Sequence, residues 1–132
     1  MASSFSTGTS KGAYCSPASC AFLVSGVEGK KVKIVGENPE SDASLTYSCD
    51  NLCHYALGIR ADGELAAGRS EELANVPSVT FELSEDSTTL TLGCRAQKCV
   101  VTTQRGSAGD LTSGQSVTLP VTDQIRFTFS RS

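Results

Sequence analysis

Apolar residues recur at every second position over much of this chain. In residues 78–83 (SVTFEL) the alternation sets Val79, Phe81 and Leu83 on one face. In 88–92 (TTLTL) it pairs Leu90 with Leu92, and in 124–129 (QIRFTF) it aligns Ile125, Phe127 and Phe129 against Arg126 and Thr128. A period of two is the mark of a strand with one buried and one wet face. Shorter β-branched or apolar runs at 21–25, 31–35, 45–49, 53–60, 99–103 and 116–119 read the same way. The pattern predicts about nine short strands, mostly antiparallel, with turn residues between them. Loops are expected at 36–42, at Asp62-Gly63 and across the Gly- and Ser-rich stretch 106–114. Residues 63–76 depart from the β pattern. Their helix formers, with Ser70 as a candidate N-cap and Pro77 as a stop, predict one or two helical turns. The expected fold is all-β: an antiparallel β-sandwich, jelly roll or small barrel with cysteine-paired hairpins.

The six cysteines fall in three close pairs, Cys15/Cys20, Cys49/Cys53 and Cys94/Cys99, each enclosing a short polar loop. A hairpin with so short a loop places its flanking residues about 4.5–5.5 Å apart at Cα, within the range a disulfide spans. Three hairpin-tip disulfides are therefore the leading expectation. Six cysteines allow 15 pairings, so bridges between tips stay open. A tetrahedral zinc site built from two pairs is an alternative, although its usual knuckle has two intervening residues and these loops have more. Free thiols in a reducing compartment are the third. Loops this short confer only about 2 kcal/mol of chain-entropy stabilisation per bridge. The bridges are thus expected to stiffen the tips more than to hold the fold, and to mark the tips as contact surfaces. The candidate contact residues are Tyr14, Pro17, Tyr47, Asn51, Tyr55, Arg95 and Lys98.

A chain of 132 residues is one domain's worth. We read residues 1–12 as a flexible polar arm and 13–132 as a single β domain. An internal repeat is visible at about 32–63 and 79–108. Leu45-Thr46-Tyr47-Ser48-Cys49 matches Leu90-Thr91-Leu92-Gly93-Cys94, Arg60 matches Arg105, and Val32-Lys33-Ile34 stands where Val79-Thr80-Phe81 does. Serine and threonine number 19 and 13, enough to cover the wet faces of such strands with hydroxyls. The net charge of −3 argues against a partner bound through its phosphates, such as a nucleic acid. No apolar run is long enough for a membrane-spanning helix, and the first residues hold no signal-peptide core.

No catalytic set emerges. His54 is the single histidine and follows Cys53 in a strand, where neighbours point to opposite faces. Gly8-Thr9-Ser10-Lys11-Gly12 matches a nucleophile-elbow string without the strand and helix that the elbow requires. Glu71, Glu72, Glu85 and Asp86 read as solvated surface, and Lys30, Lys31 and Lys33 as guards of a strand edge. No catalytic residue, metal or cofactor is assigned. The expected function is a non-catalytic structural or assembly protein, such as a capsid-decorating or coat subunit of a virion, whose partners are other protein subunits. Paired cysteines without an export signal fit a particle assembled in a cytosol and released by lysis. The alternative is a secreted disulfide-rich binding module, a lectin or host-interaction protein. Carbohydrate is a weaker partner expectation, resting on the three tyrosines near cysteines.

Overall fold

The computed structural model describes residues 19–36, 44–48 and 53–130. Within them the chain forms β1 (Ser19–Glu28), β2 (Lys31–Gly36), β3 (Ser44–Ser48), β4 (Cys53–Ile59), β5 (Leu65–Arg69), β6 (Ser78–Leu83), β7 (Thr89–Cys94), β8 (Lys98–Thr103), β9 (Gly106–Thr112), β10 (Ser116–Pro120) and β11 (Ile125–Ser130). They build two sheets, ordered β3-β2-β1-β11-β8-β9 and β10-β7-β6-β4-β5, with every pairing antiparallel. The architecture is a β-sandwich, one of the three all-β arrangements the alternation left open. Each alternating set turns inward: Val79, Phe81, Leu83, Leu90 and Leu92 from the five-stranded sheet, and Phe22, Val32, Ile34, Ile125, Phe127 and Phe129 from the six-stranded one. Phe22, Phe127 and Phe129 stack with centroids 5.4–6.2 Å apart, and Phe81 meets Phe127 edge-on at 5.2 Å across the two sheets.

Two strands lie where the residue types pointed elsewhere. β5 (LAAGR) consists largely of helix formers, yet it pairs along β4 from Ile59↔Leu65 to Tyr55↔Arg69 and buries Leu65 and Ala66. Burial against a neighbouring strand outweighs helix propensities of a few tenths of a kcal/mol per residue. β9 (GSAGDLT) reads as a loop because Leu111 is its one buried side chain. It is an edge strand held by its ladder to β8, with an irregularity between Val101 and Thr102. The expected helix shrinks to a 3-10 turn, Ser70–Leu73. Arg69, not Ser70, is its N-cap, and the Arg69 N–H donates to Glu72 Oε1 at 2.9 Å. Leu73 packs with Ala56, Ala66 and Val76 in a small cluster separate from the main core. Gly58 lets this segment approach, because a Cβ there would lie 2.8 Å from Val76 Cγ2 and 3.2 Å from the Pro77 carbonyl.

The pairings relate two stretches of chain. β2 and β3 form a hairpin in the six-stranded sheet, and β4 and β5 follow in the other. β6 and β7 form a hairpin in the five-stranded sheet, and β8 and β9 follow in the opposite one. The two stretches trade sheets, the first crossing over between Ser48 and Cys53 and the second between Cys94 and Lys98. β4 and β6 are direct neighbours, whereas β1 and β11 are inserted between β2 and β8. With Tyr47 and Leu92 set equivalent, the register equates Val32 with Phe81, a shift from the sequence match of Val32 with Val79.

The Phe127 ring touches aromatic partners on both sheets, so its removal opens a cavity at the centre of the sandwich. Phe127→Ala is expected to lower unfolding free energy by about 3–5 kcal/mol in denaturant titration. Thr128→Ala, on the outer side of the same strand, is expected to change it by less than about 0.5 kcal/mol.

Candidate functional site: an inter-sheet bridge and a braced cluster of turns

The third cysteine pair is joined. Cys94 and Cys99 form a disulfide with a Cα–Cα distance of 5.9 Å, and the residues are 2% and 1% exposed. It is not a hairpin-tip bridge. Cys94 ends β7 in the five-stranded sheet, Cys99 lies in β8 in the six-stranded sheet, and these strands do not pair. A four-residue loop serves a hairpin and an arch between sheets equally well, so loop length alone could not separate them. The consequence reverses the expectation from loop entropy, because this bridge holds the sheets together instead of stiffening an exposed tip. Having formed a disulfide, these sulfurs are no longer thiolates that could bind zinc. Among the described residues no group of three or more His, Cys, Asp or Glu is placed to hold a metal ion.

The segment beyond Cys94 is tied down on its own molecule. The Arg95 N–H donates to the Ser78 carbonyl at 2.8 Å, and its Nη1 donates to the Ser70 carbonyl at 2.5 Å. Ala96 is buried, while Arg95 and Lys98 are exposed. Tyr55 is not an exposed contact residue. It is 5% exposed, opposite Phe81 on β6, because the inward phase of β4 runs through Tyr55, Leu57 and Ile59. Tyr47, on β3, pairs in register with Val32 on β2. Cys20 and Cys53 stand on β1 and β4, opposite Phe129 and Leu83. Cys15, Cys49, Tyr14, Pro17, Asn51 and the arm 1–12 lie outside the described residues.

The opposite end of the sandwich gathers four turns: β1–β2, β6–β7, β8–β9 and β10–β11. Lys30, Lys31 and Lys33 guard no strand edge, because β2 lies between β1 and β3; Lys30 sits in the β1–β2 turn, where its Nζ donates to the Ser84 and Glu85 carbonyls at 3.5 and 2.5 Å, joining the first two turns across the sheets. Asp86 organises its own turn. Its Oδ1 accepts from Ser84 Oγ at 2.7 Å, from Thr88 Oγ1 at 2.7 Å and from the Thr88 N–H at 3.2 Å. The Val121 N–H donates to the Thr88 carbonyl at 3.0 Å. The last two turns meet through side chains: the Gln124 N–H donates to Gln104 Oε1 at 2.6 Å, and Arg105 Nη2 lies 3.3 Å from Asp123 Oδ1. His54 contributes only a surface pair with Glu82 at 3.4 Å, both about half exposed.

Beside these turns β1 carries a bulge. Val24 pairs with Ile34 and Gly26 with Lys33, leaving Ser25 as the extra residue. Residues 23–26 and 121–124 line a cleft of about 260 Å³. Asp123 lines it too, and its side chain is 6% exposed although its partner Arg105 is 74% exposed. Sequence reading passed over Asp123, since Thr122-Asp123-Gln124 resembles any polar turn.

Two outcomes follow. Replacing Cys94 and Cys99 together by alanine removes both the loop constraint and a core contact between sheets, so unfolding free energy is expected to fall by about 2–4 kcal/mol in denaturant titration. The hydroxyls of Thr88 and Ser84, followed by the Thr88 N–H, lower the Asp86 pKa below its ordinary 3.8. A carboxylate with a depressed folded pKa contributes stability above its unfolded value, and loses that contribution as pH falls through the folded value. The stability difference between the wild type and Asp86→Asn is therefore expected to stay constant at neutral pH and to shrink below pH 3.8 in pH-resolved thermal unfolding. Compared with known protein families, curated proteins and solved structures, the chain matches none.

Proposed function

We propose that this protein is a non-catalytic structural subunit of a larger assembly, of the kind that coats or decorates a virion, and that it meets its neighbours through the outer side of β10 and β7. The carrying observation is the position of β10. It ends the five-stranded sheet, with a ladder to β7 on one side and no strand on the other among the described residues. An open edge presents backbone N–H and C=O groups that a second chain can pair with. Beside it the outer face is hydroxyl-rich: Ser116 and Thr118 are exposed, Thr91 Oγ1 lies 2.8 Å from Thr118 Oγ1, and Thr80 Oγ1 donates to the Gly93 carbonyl at 3.4 Å. Short side chains already tied to one another lose little freedom when covered.

The bracing supports the same reading. One end of the sandwich is closed by a buried covalent bridge and the other by bonds between turns. A subunit repeated many times in one geometry benefits from such stiffness, because a preorganised surface loses less entropy on association. A disulfide persists in an oxidising setting, which a released particle or a secreted protein occupies. The secreted binding module remains the second reading, and the cleft beside Asp123 is the observation that favours it.

Light scattering after size exclusion tests the assembly. Self-association that grows with concentration is expected, and Thr118→Lys should weaken it while leaving thermal unfolding unchanged. A chain still monomeric at about 1 mM, where a contact of about 4 kcal/mol is half saturated, overturns the proposal.

A further inference from the structure

We infer that the cleft between the β1 bulge and the β10–β11 turn is a binding site for a small polyhydroxylated ligand about the size of one sugar ring. At about 260 Å³ it falls just below the range typical of drug-sized ligands, which suits a single ring. Its wall is mixed. Leu23, Val24 and Val121 supply apolar surface, and Ser25, Thr122, Asp123 and Gln124 supply polar groups. Gly26 keeps one side open, for a Cβ built there has no heavy atom within 4 Å.

Asp123 makes this more than a surface dimple. Its carboxylate is nine-tenths buried, and a buried charge is costly unless it is well paired. The Gln104 Nε2 donor at 3.5 Å and the Arg105 cation at 3.3 Å both address Oδ1. The Gln104 bond is long, and Arg105 is largely in solvent, where an ion pair is worth little. Among the described residues no hydrogen bond or ion pair is directed at Oδ2. A ligand hydroxyl donating there forms a charge-assisted hydrogen bond, about twice as strong as a neutral one.

The surrounding charges select the ligand class. A carboxylate by itself would suit an ammonium group as well as a hydroxyl. Here the Arg105 cation already lies 3.3 Å from Asp123. A second cation brought to the same carboxylate meets its repulsion, which a neutral polyol does not. The site is distinct from the tyrosines that first suggested carbohydrate, one of which, Tyr55, is a core residue. It is also independent of assembly, since a decorating subunit and a secreted module could each carry it.

Titration of the isotope-labelled full chain with D-glucose, D-galactose and D-mannose, followed by amide chemical shifts, tests the site. Saturable shifts confined to residues 23–26 and 121–124 are expected for at least one sugar, with a dissociation constant of about 1–10 mM. Asp123→Asn keeps the size of the side chain and removes its charge, and it should weaken binding about 10-fold or more. Gly26→Val narrows the cleft without touching Asp123 and should abolish the shifts, so the test survives if Asp123→Asn fails to fold. The proposal is overturned by three results: no saturable shift with any of the sugars up to about 100 mM, a constant near the weak limit for so few contacts; shifts unchanged by both variants; or n-butylammonium binding more tightly than every sugar.

Discussion

Contact between the two inward faces is the constraint on which this structure depends. Phe22, Phe127 and Phe129 stack within one sheet, and Phe81 from the other meets Phe127 edge-on. Around them lie Ile34, Leu57, Leu83, Leu90, Leu92 and Ile125, all with almost no exposure. A sandwich of this size has one such layer and no second core to fall back on. The Leu73 cluster on the outer face is too small to serve as one, and depends on the sheet beneath it. The alternation of the central strands and the position of the bridge serve to keep these faces together.

The Cys94–Cys99 disulfide acts in the same service. It lies at a crossing where the chain leaves one sheet for the other, and its sulfurs belong to the core. The chain also changes sheets between Ser48 at the end of β3 and Cys53 at the start of β4. At the far end four turns meet. Lysine-to-carbonyl bonds and the Gln104, Arg105, Asp123 and Gln124 group hold those turns across the sheets. The bulge at Ser25 bends β1 beside this group, and a cleft remains where bracing replaces close packing. One feature of the architecture thus accounts for both the stiffness of this end of the molecule and the cleft beside Asp123.

Strands carried by β-branched and aromatic alternation were legible because a period of two admits only the extended answer when Val79, Phe81 and Leu83 recur so regularly. β5 and β9 were not. Leu65-Ala66-Ala67 has no β propensity of its own, and in Gly106-Ser107-Ala108-Gly109 the one side chain packed against the core is the methyl of Ala108, too small to reveal a phase. Both are edge strands whose pairing with a neighbour makes them. The candidate contact residues divided for a related reason. Arg95 and Lys98 flank the crossing and are exposed, but Tyr55 falls in phase with Leu57 and Ile59 and is drawn into the core. Proximity to a cysteine says nothing about phase.

The amino-acid sequence by itself determined which side of each alternating strand faces inward, that the chain is all-β, and that Cys94 is close enough to Cys99 to be bridged. These are local properties, set by side-chain period and by short chain separation. Only the tertiary structure decided that β7 and β8 belong to different sheets, so that a bridge expected at a hairpin tip instead joins two layers. It alone also brought Asp123 beside the bulge at Ser25, residues nearly a hundred positions apart. Strand order and the meeting of distant turns depend on how whole faces pack, and no window of neighbouring residues contains that information.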